Sequence, residues 1–411
     1  MKIGYFLADL SLENGGVAPY SWRILEILLS ESKSQKIEIL VLCSAELEKQ
    51  CLNLITKYQA KAKPYIIPLK FHFLDTLVSR YTNLLSQILL IFNLPTQVVK
   101  YFNPSFIWFA SLDIDLLHVP YQISPSYDLR YPLVITMHDV QELHYPEFFT
   151  PQERIWRAEH YWKSLEISSK VVVSFNHVKE DLIKYFRLDK NKVHVSPLPY
   201  QKMYLQPPTS EEQFTYETKY SNLDIFLLYP AQTWQHKNHL SLIKAVEYIK
   251  DKFGIVIHIV CTGKKNSSFF PVIEEYLKTS GVAEQIHFLD IVPETELYWL
   301  YKNCSLVVIP SLYEAGCLPL LEAMSLEVPV ICSSVTSLPE TIGDLRFTFE
   351  PFNINQMANL ILQMIENLDF RMDNIVNSKN QIQKLHQIDS AGELIKVYQE
   401  VLSTNSRIQK S

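Results

Sequence analysis

Glycine is scarce in this chain: 9 residues in 411, where average usage near 7% would supply about 29. Each one that remains is therefore informative. Gly15 and Gly16 follow the first strand-like run, Gly263 follows a later one, and Gly316 lies between two acids. Glycines at strand ends let backbone approach a ligand closely. Cysteine is also sparse, with six residues (Cys43, Cys51, Cys261, Cys304, Cys317, Cys332) and no CxxC spacing. That gives neither a disulfide framework nor a zinc site, and a reducing cytoplasm fits. There is no excess of positive charge: 38 Lys and Arg against 44 Asp and Glu give a net charge of −6. A dedicated nucleic-acid binder would usually be basic. No apolar run reaches the roughly 18 residues that a membrane helix needs. The opening MKIGYFLADL is broken by Asp9 and reads as a strand, not a signal peptide. No repeat of about 20–50 residues appears.

What the chain does have is alternation. IGYFLAD (3–9), IEILVLCS (37–44), IDLLHVP (114–120), LVITMHD (133–139) and KVVVSF (170–175) read as strands separated by helical runs. IFLLYPA (225–231), VIHIVCTG (256–263), SLVVIPS (305–311) and VPVICSS (328–334) continue the rhythm. Strands alternating with helices of about 10–15 residues indicate parallel sheets covered on both faces. A chain of this length fits two domains at roughly 100–200 residues each. The polar stretch 200–223, with its Pro-Pro and charge cluster, marks the boundary. The expected division is 1–200, 201–385 and a terminal helix, 386–411, packing back on the first domain.

Residues 57–104 break the rhythm. Phe73, Leu77, Tyr81, Leu84, Leu85, Ile88 and Phe92 have helical spacing, and six basic residues face the single acid Asp75. The stretch fits a helix packed on the first sheet. It also fits a basic amphipathic segment on an anionic membrane surface.

Ligands of such sheets bind outside the carboxyl ends of the strands. Two segments follow strands and open helices there. YPAQTWQHKNH (229–239) brings Lys237 to a helix N-terminus, where free N–H groups suit phosphate. SLYEAGCLPLLEAM (311–324) brings Glu314 in a loop and Glu322 in the first turn of a helix, with Pro319 at its first position. Glu322 can accept two hydroxyls of a ribose, and Glu314 the hydroxyls of a sugar. Taken singly, each also fits a solvated loop or helix-end side chain. Asp113-Ile-Asp115 is a DxD, a pattern that can hold a divalent metal, but it lies at the start of a strand, the wrong end. No other cluster has metal-ligand spacing. His144, His160 and His177 are dispersed and read as surface or packed histidines.

The full segment SLYEAGCLPLLEAMSLEVPVICSSVTSLPETIGD (311–344) resembles the nucleotide-sugar signature of retaining family 4 glycosyltransferases of the GT-B fold. YPAQTWQHKNHLSLIKA (229–245) is similar to the phosphate-binding loop of that family. TMHDVQELHYPEFFTPQERIWRAEHYW (136–162) and SFNHVKEDLIKYFRLDKNKVHVSPLP (174–199) resemble its first domain. The resemblance covers residues 1–20 and about 114–400. It implies two Rossmann-like doubly wound domains facing across a cleft, the first for an acceptor and the second for a nucleotide sugar. It further implies that Glu322 binds the donor ribose, Glu314 the transferred sugar and Lys237 the diphosphate. Backbone N–H groups at Cys317, Leu318 and Leu320, beside Gly316, would lie near donor oxygens. Gly15 and Gly16 would approach the diphosphate, and His138 would face the reacting sugar. No cofactor or metal is implied beyond the donor, GDP-mannose or a UDP-sugar.

Two positions depart from the pattern. Gln232 stands where the family usually has an arginine, five residues before the lysine. Ala315-Gly316-Cys317 stands where it usually has Gly-Phe-Gly. The implied activity is transfer of a sugar to a glycan or lipid-linked acceptor in surface-polysaccharide synthesis, in the cytoplasm or at the inner face of the membrane. A nucleotide-sugar epimerase and a non-catalytic partner of a polysaccharide-assembly complex are the alternatives.

Overall fold

The protein is described here by a computed structural model covering residues 1–8, 10, 17–68, 104–197 and 205–408. The chain divides into two compact units, Met1–Pro199 with Asp389–Ser411, and Tyr200–Ile388.

The first unit is built on seven parallel strands: β1 (Lys2–Ala8), β2 (Glu38–Cys43), β3 (Ala62–Ile66), β4 (Leu116–Val119), β5 (Leu133–Thr136), β6 (Lys170–Val173) and β7 (Val193–Val195). Their order is β3-β2-β1-β4-β5-β6-β7. Alternate residues of one strand enter different cores. Ile39 and Val41 of β2 join one, with Leu25 and Leu28, while Leu40 and Leu42 join the other, with Tyr161 and Leu182. Strands covered on both faces read as continuous apolar runs, which is why EILVLC shows no polar alternation. The terminal helix Ser390–Ile408 contributes Leu394, Ile395, Tyr398 and Val401 to the first of these cores.

The second unit has six parallel strands: β8 (Phe226–Pro230), β9 (His258–Thr262), β10 (Ile286–Phe288), β11 (Leu306–Ile309), β12 (Val330–Ser333) and β13 (Thr348–Phe349). The order is β10-β9-β8-β11-β12-β13. In both units the order reverses beside the first strand, at β1/β4 and β8/β11, and such a reversal opens a crevice at the strand carboxyl ends. The helix His239–Phe253 turns Leu242, Ile243, Val246 and Ile249 inward at helical spacing and ends at Gly254, whose φ of 69° suits the left-handed cap. Gly263, at φ 103°, ends β9; a Cβ there would lie 2.9 Å from the Gln232 backbone nitrogen. Only glycine allows the β8 loop to pass so close.

Three local readings change. The polar stretch 200–223 contains a helix, Ser210–Lys219, opened by a reciprocal cap between Thr209 and Glu212. Thr-x-x-Glu is the signal that foretells it. Residues 62–66 within 57–104 form the edge strand β3, paired in parallel with β2; the apolar series from Phe73 to Phe92 lies outside the described residues. The helix after Glu314 is Leu318–Ser325, so Pro319 is its second residue and Glu322 its fifth. Glu322 is thus past the first turn, where the helix dipole acts most strongly. Among the described residues no helix is long and apolar enough to cross a membrane.

Candidate active site

The β8/β11 reversal brings the two candidate segments together. Lys237 follows β8 and Glu314 follows β11, and the Lys237 ammonium meets Glu314 Oε1 at 2.7 Å. The same oxygen accepts from Ser311 Oγ at 2.6 Å. The Tyr229 hydroxyl, at the end of β8, donates to the Lys237 carbonyl at 2.8 Å and lies 3.1 Å from Ser311 Oγ. Leu312 N–H donates to the His236 carbonyl at 2.7 Å, joining the two loops through backbone. Glu314 N–H donates to Thr336 Oγ1 and its carbonyl accepts from Ser337 Oγ. Glu314 is buried while Lys237 remains partly exposed. Burial alone would depress the lysine pKa; the neighbouring Glu314 more than offsets it and the value is raised. The ammonium therefore stays charged, one side on a carboxylate and one side open.

Asn238 holds the lysine loop in place. It adopts a left-handed φ of 57°. Its amide nitrogen donates to the carbonyls of Pro310 and Pro351, each at 3.0 Å, at the ends of β11 and β13. Burial keeps His236 and His239 neutral, with pKa values of about 4 and about 3, so they add no charge beside Lys237. Gln232 is exposed, and its Oε1 accepts from the exposed Trp234 indole at 2.9 Å. That bond occupies the amide oxygen and leaves the amide N–H groups as the remaining donors of this side chain.

Glu322 lies against a different partner. Its Oε2 accepts from the Tyr301 hydroxyl at 2.6 Å. Burial raises its pKa. Around the helix start, Cys317 and Leu320 are buried in the core and Leu318 is exposed. Their side chains thus offer no polar group, and the backbone there is what a ligand could meet. Tyr229, Ser311, Asn238 and Tyr301 did not stand out in the sequence. Tyr229 and Ser311 stand at strand ends, Asn238 caps a helix and Tyr301 lies within one, and only the topology shows what each faces.

In the first unit His138 follows β5. Its Nε2 donates to the Pro120 carbonyl, at the end of β4, at 2.9 Å. Its ring meets Tyr20 edge-on at 4.6 Å. Burial lowers its pKa, so a neutral ring with Nδ1 as acceptor results. Behind it, His118 joins the Tyr398 hydroxyl at 2.7 Å and Thr136 Oγ1 at 3.2 Å. Gly15 and Gly16 lie outside the described residues. Of the other histidines, His144 pairs with Asp181 at 2.7 Å. The DxD is taken up by Lys2: Asp113 pairs with its ammonium and Asp115 accepts from its backbone N–H. Among the described residues no group of three possible metal ligands occurs.

Two family models match the chain, Glycosyltransferase Family 4 over residues 58–200 and Glycosyl transferases group 1 over 211–381. Together they account for more than half of it. The chain belongs to the group 1, family 4 glycosyltransferases. O-antigen chain mannosyltransferase B of Escherichia coli is 26% identical over 240 residues, 58% of this chain and 62% of that protein. O-antigen chain mannosyltransferase RfbU of Salmonella typhimurium is 24% identical over 208 residues, 51% of this chain and 54% of that protein. The chain thus spans less than two thirds of the length of either relative. Among solved structures, Anabaena HepE, crystallised with UDP and glucose, aligns over 98% of this chain and 100% of its own with a TM-score of 0.62 at 15% identity. That likeness speaks for the fold: both units are the Rossmann-like halves of a GT-B glycosyltransferase. Nothing in these relatives supports the epimerase alternative.

Proposed function

We propose that this glycosyltransferase moves a sugar from a nucleoside diphosphate sugar to a glycan or lipid-linked acceptor, with retention of anomeric configuration and without a metal. The observation that carries the reading is the Lys237–Glu314 pair at the β8/β11 reversal, with Glu322 on the helix that follows. The second unit takes the donor. Lys237 and the backbone N–H groups at Leu318 and Leu320 take the diphosphate, with Gln232 as a neutral donor beside them. Glu314 takes hydroxyls of the sugar, and Glu322 the ribose. The incoming diphosphate draws the ammonium from Glu314, and sugar hydroxyls replace it on the carboxylate. Departure of the diphosphate builds negative charge, which fixed donors stabilise. The first unit takes the acceptor, and neutral His138 offers Nδ1 as an acceptor to a sugar hydroxyl.

The names of the relatives favour GDP-mannose as donor and surface polysaccharide as product; the UDP and glucose in HepE keep UDP-sugars in view. The cytoplasm or the inner face of the membrane, with contact through 57–104, is the corresponding place of action. Transfer assays with GDP-mannose and UDP-sugars, with and without EDTA, test the reading. Transfer that survives EDTA, with product anomer matching donor by NMR, is expected. Inversion, or loss of activity on chelation, contradicts those parts of it. Gln232 in place of a second cation favours one other reading, a non-catalytic sugar-nucleotide-binding partner. Donor binding without transfer or hydrolysis would support it.

A further inference from the structure

The helix Glu294–Asn303 lies just ahead of β11 and carries Tyr301, whose ring is fully buried. A buried phenol needs a partner for its proton. Two acceptors are near: the Pro319 carbonyl at 3.4 Å and Glu322 Oε2 at 2.6 Å. The shorter contact is to a carboxylate, and hydrogen bonds to ionised acceptors are the short, strong ones. The ring is set by the core, so it cannot follow the carboxylate; the carboxylate must follow it. Among the described residues Oε1 of Glu322 takes no hydrogen bond.

We propose that Tyr301 is a positioning residue for nucleotide binding: its phenol fixes one Glu322 oxygen so that the other meets the ribose diol. The inference rests on the ribose role given to Glu322 above. It refines that role, because one carboxylate oxygen is committed to the protein and the diol is read mainly by the other. The phenol has a second effect. Burial and the neighbouring Glu294 both favour the protonated acid, and the Tyr301 hydrogen bond opposes them. A protonated Glu322 would lose its strength as an acceptor, so the phenol also keeps the ribose site working as pH falls.

The test is calorimetry on the full chain with GDP, UDP and their 2′,3′-dideoxy forms, using wild type, Tyr301→Phe, Glu322→Gln and the double variant. Tyr301→Phe should weaken the ribonucleotide that the protein prefers by about tenfold, and should leave its dideoxy form within about twofold. The weakening should grow as pH falls. In the Glu322→Gln background the same change should add little, since the partner is gone. Equal losses for ribo and dideoxy forms, or an undiminished loss in the Glu322→Gln background, overturn the inference about Tyr301. A wild type that binds ribo and dideoxy forms alike overturns the ribose role of Glu322 instead. A wild type that binds neither GDP nor UDP overturns both. Thermal melting of Tyr301→Phe near the wild-type temperature separates lost positioning from lost folding.

Discussion

The two units share a strand order and a reversal point, yet they furnish those points with opposite chemistry. At β8/β11 the side chains form an ion pair, Lys237 on Glu314, and Glu322 stands on the helix that follows. Beside the β1/β4 reversal, at the ends of β4 and β5, they are neutral: His138 on a carbonyl, with His118, Thr136, Tyr20 and Tyr398 around it. An anionic donor needs a fixed cation and carboxylates for its hydroxyls. A neutral acceptor needs hydrogen-bonding groups that do not compete for the diphosphate. On the function proposed above, one topology serves two ligands through the residues beyond its strand ends.

Removing the Lys237 charge breaks the contrast most sharply. Lys237→Met should lower turnover by roughly 10²–10³-fold, read in steady-state transfer assays; a wild-type rate would show that the β8 loop is not the charged pole. Glu314→Gln leaves the ammonium half-buried without its counter-charge. It should destabilise the second unit by about 2–3 kcal/mol, measured by urea unfolding, and an unchanged midpoint would mean that solvent already satisfies the lysine.

Acid should treat the units alike. His118 and His177 in the first, and His239 and His236 in the second, have pKa values of about 3 or 4 against 6.5 for the free group. A folded-state value below the unfolded one stabilises the fold fully above the unfolded pKa, and that contribution drains as pH falls from about 6.5 towards 3. Unfolding free energies should therefore drop steadily across that window, and a flat profile would mean that these rings are not held neutral. The smallest effect is expected at Tyr398→Phe, which removes the bond to His118 while keeping the packing. It should cost about 1 kcal/mol and leave nucleotide affinity untouched. An altered affinity would mean that the neutral network and the charged one are coupled.

The fold was legible because both sheets are parallel and buried on both faces, so nearly every strand is an unbroken apolar run. β3, with Lys63 and Pro64 and an exposed Tyr65 and Ile66, is an edge strand and carries no such run, so 62–66 does not stand out in the pattern. The charged members of the site were legible because Lys237, Glu314 and Glu322 stand in long segments with family character. Their supports were not. Asn238 reads as an ordinary loop residue until its amide is seen between Pro310 and Pro351. Tyr301 reads as one more aromatic in ELYWLYKNC until the helix sets it against Glu322. Side chains that act through other side chains leave no spacing rule in the chain.

The central claim is tested most directly by a crystal structure of the protein with GDP or UDP bound. The diphosphate oxygens should lie within hydrogen-bond reach of the Lys237 ammonium, with a ribose hydroxyl on the Glu322 oxygen opposite Tyr301. A nucleotide seated elsewhere, with Lys237 still closed on Glu314, would contradict the account.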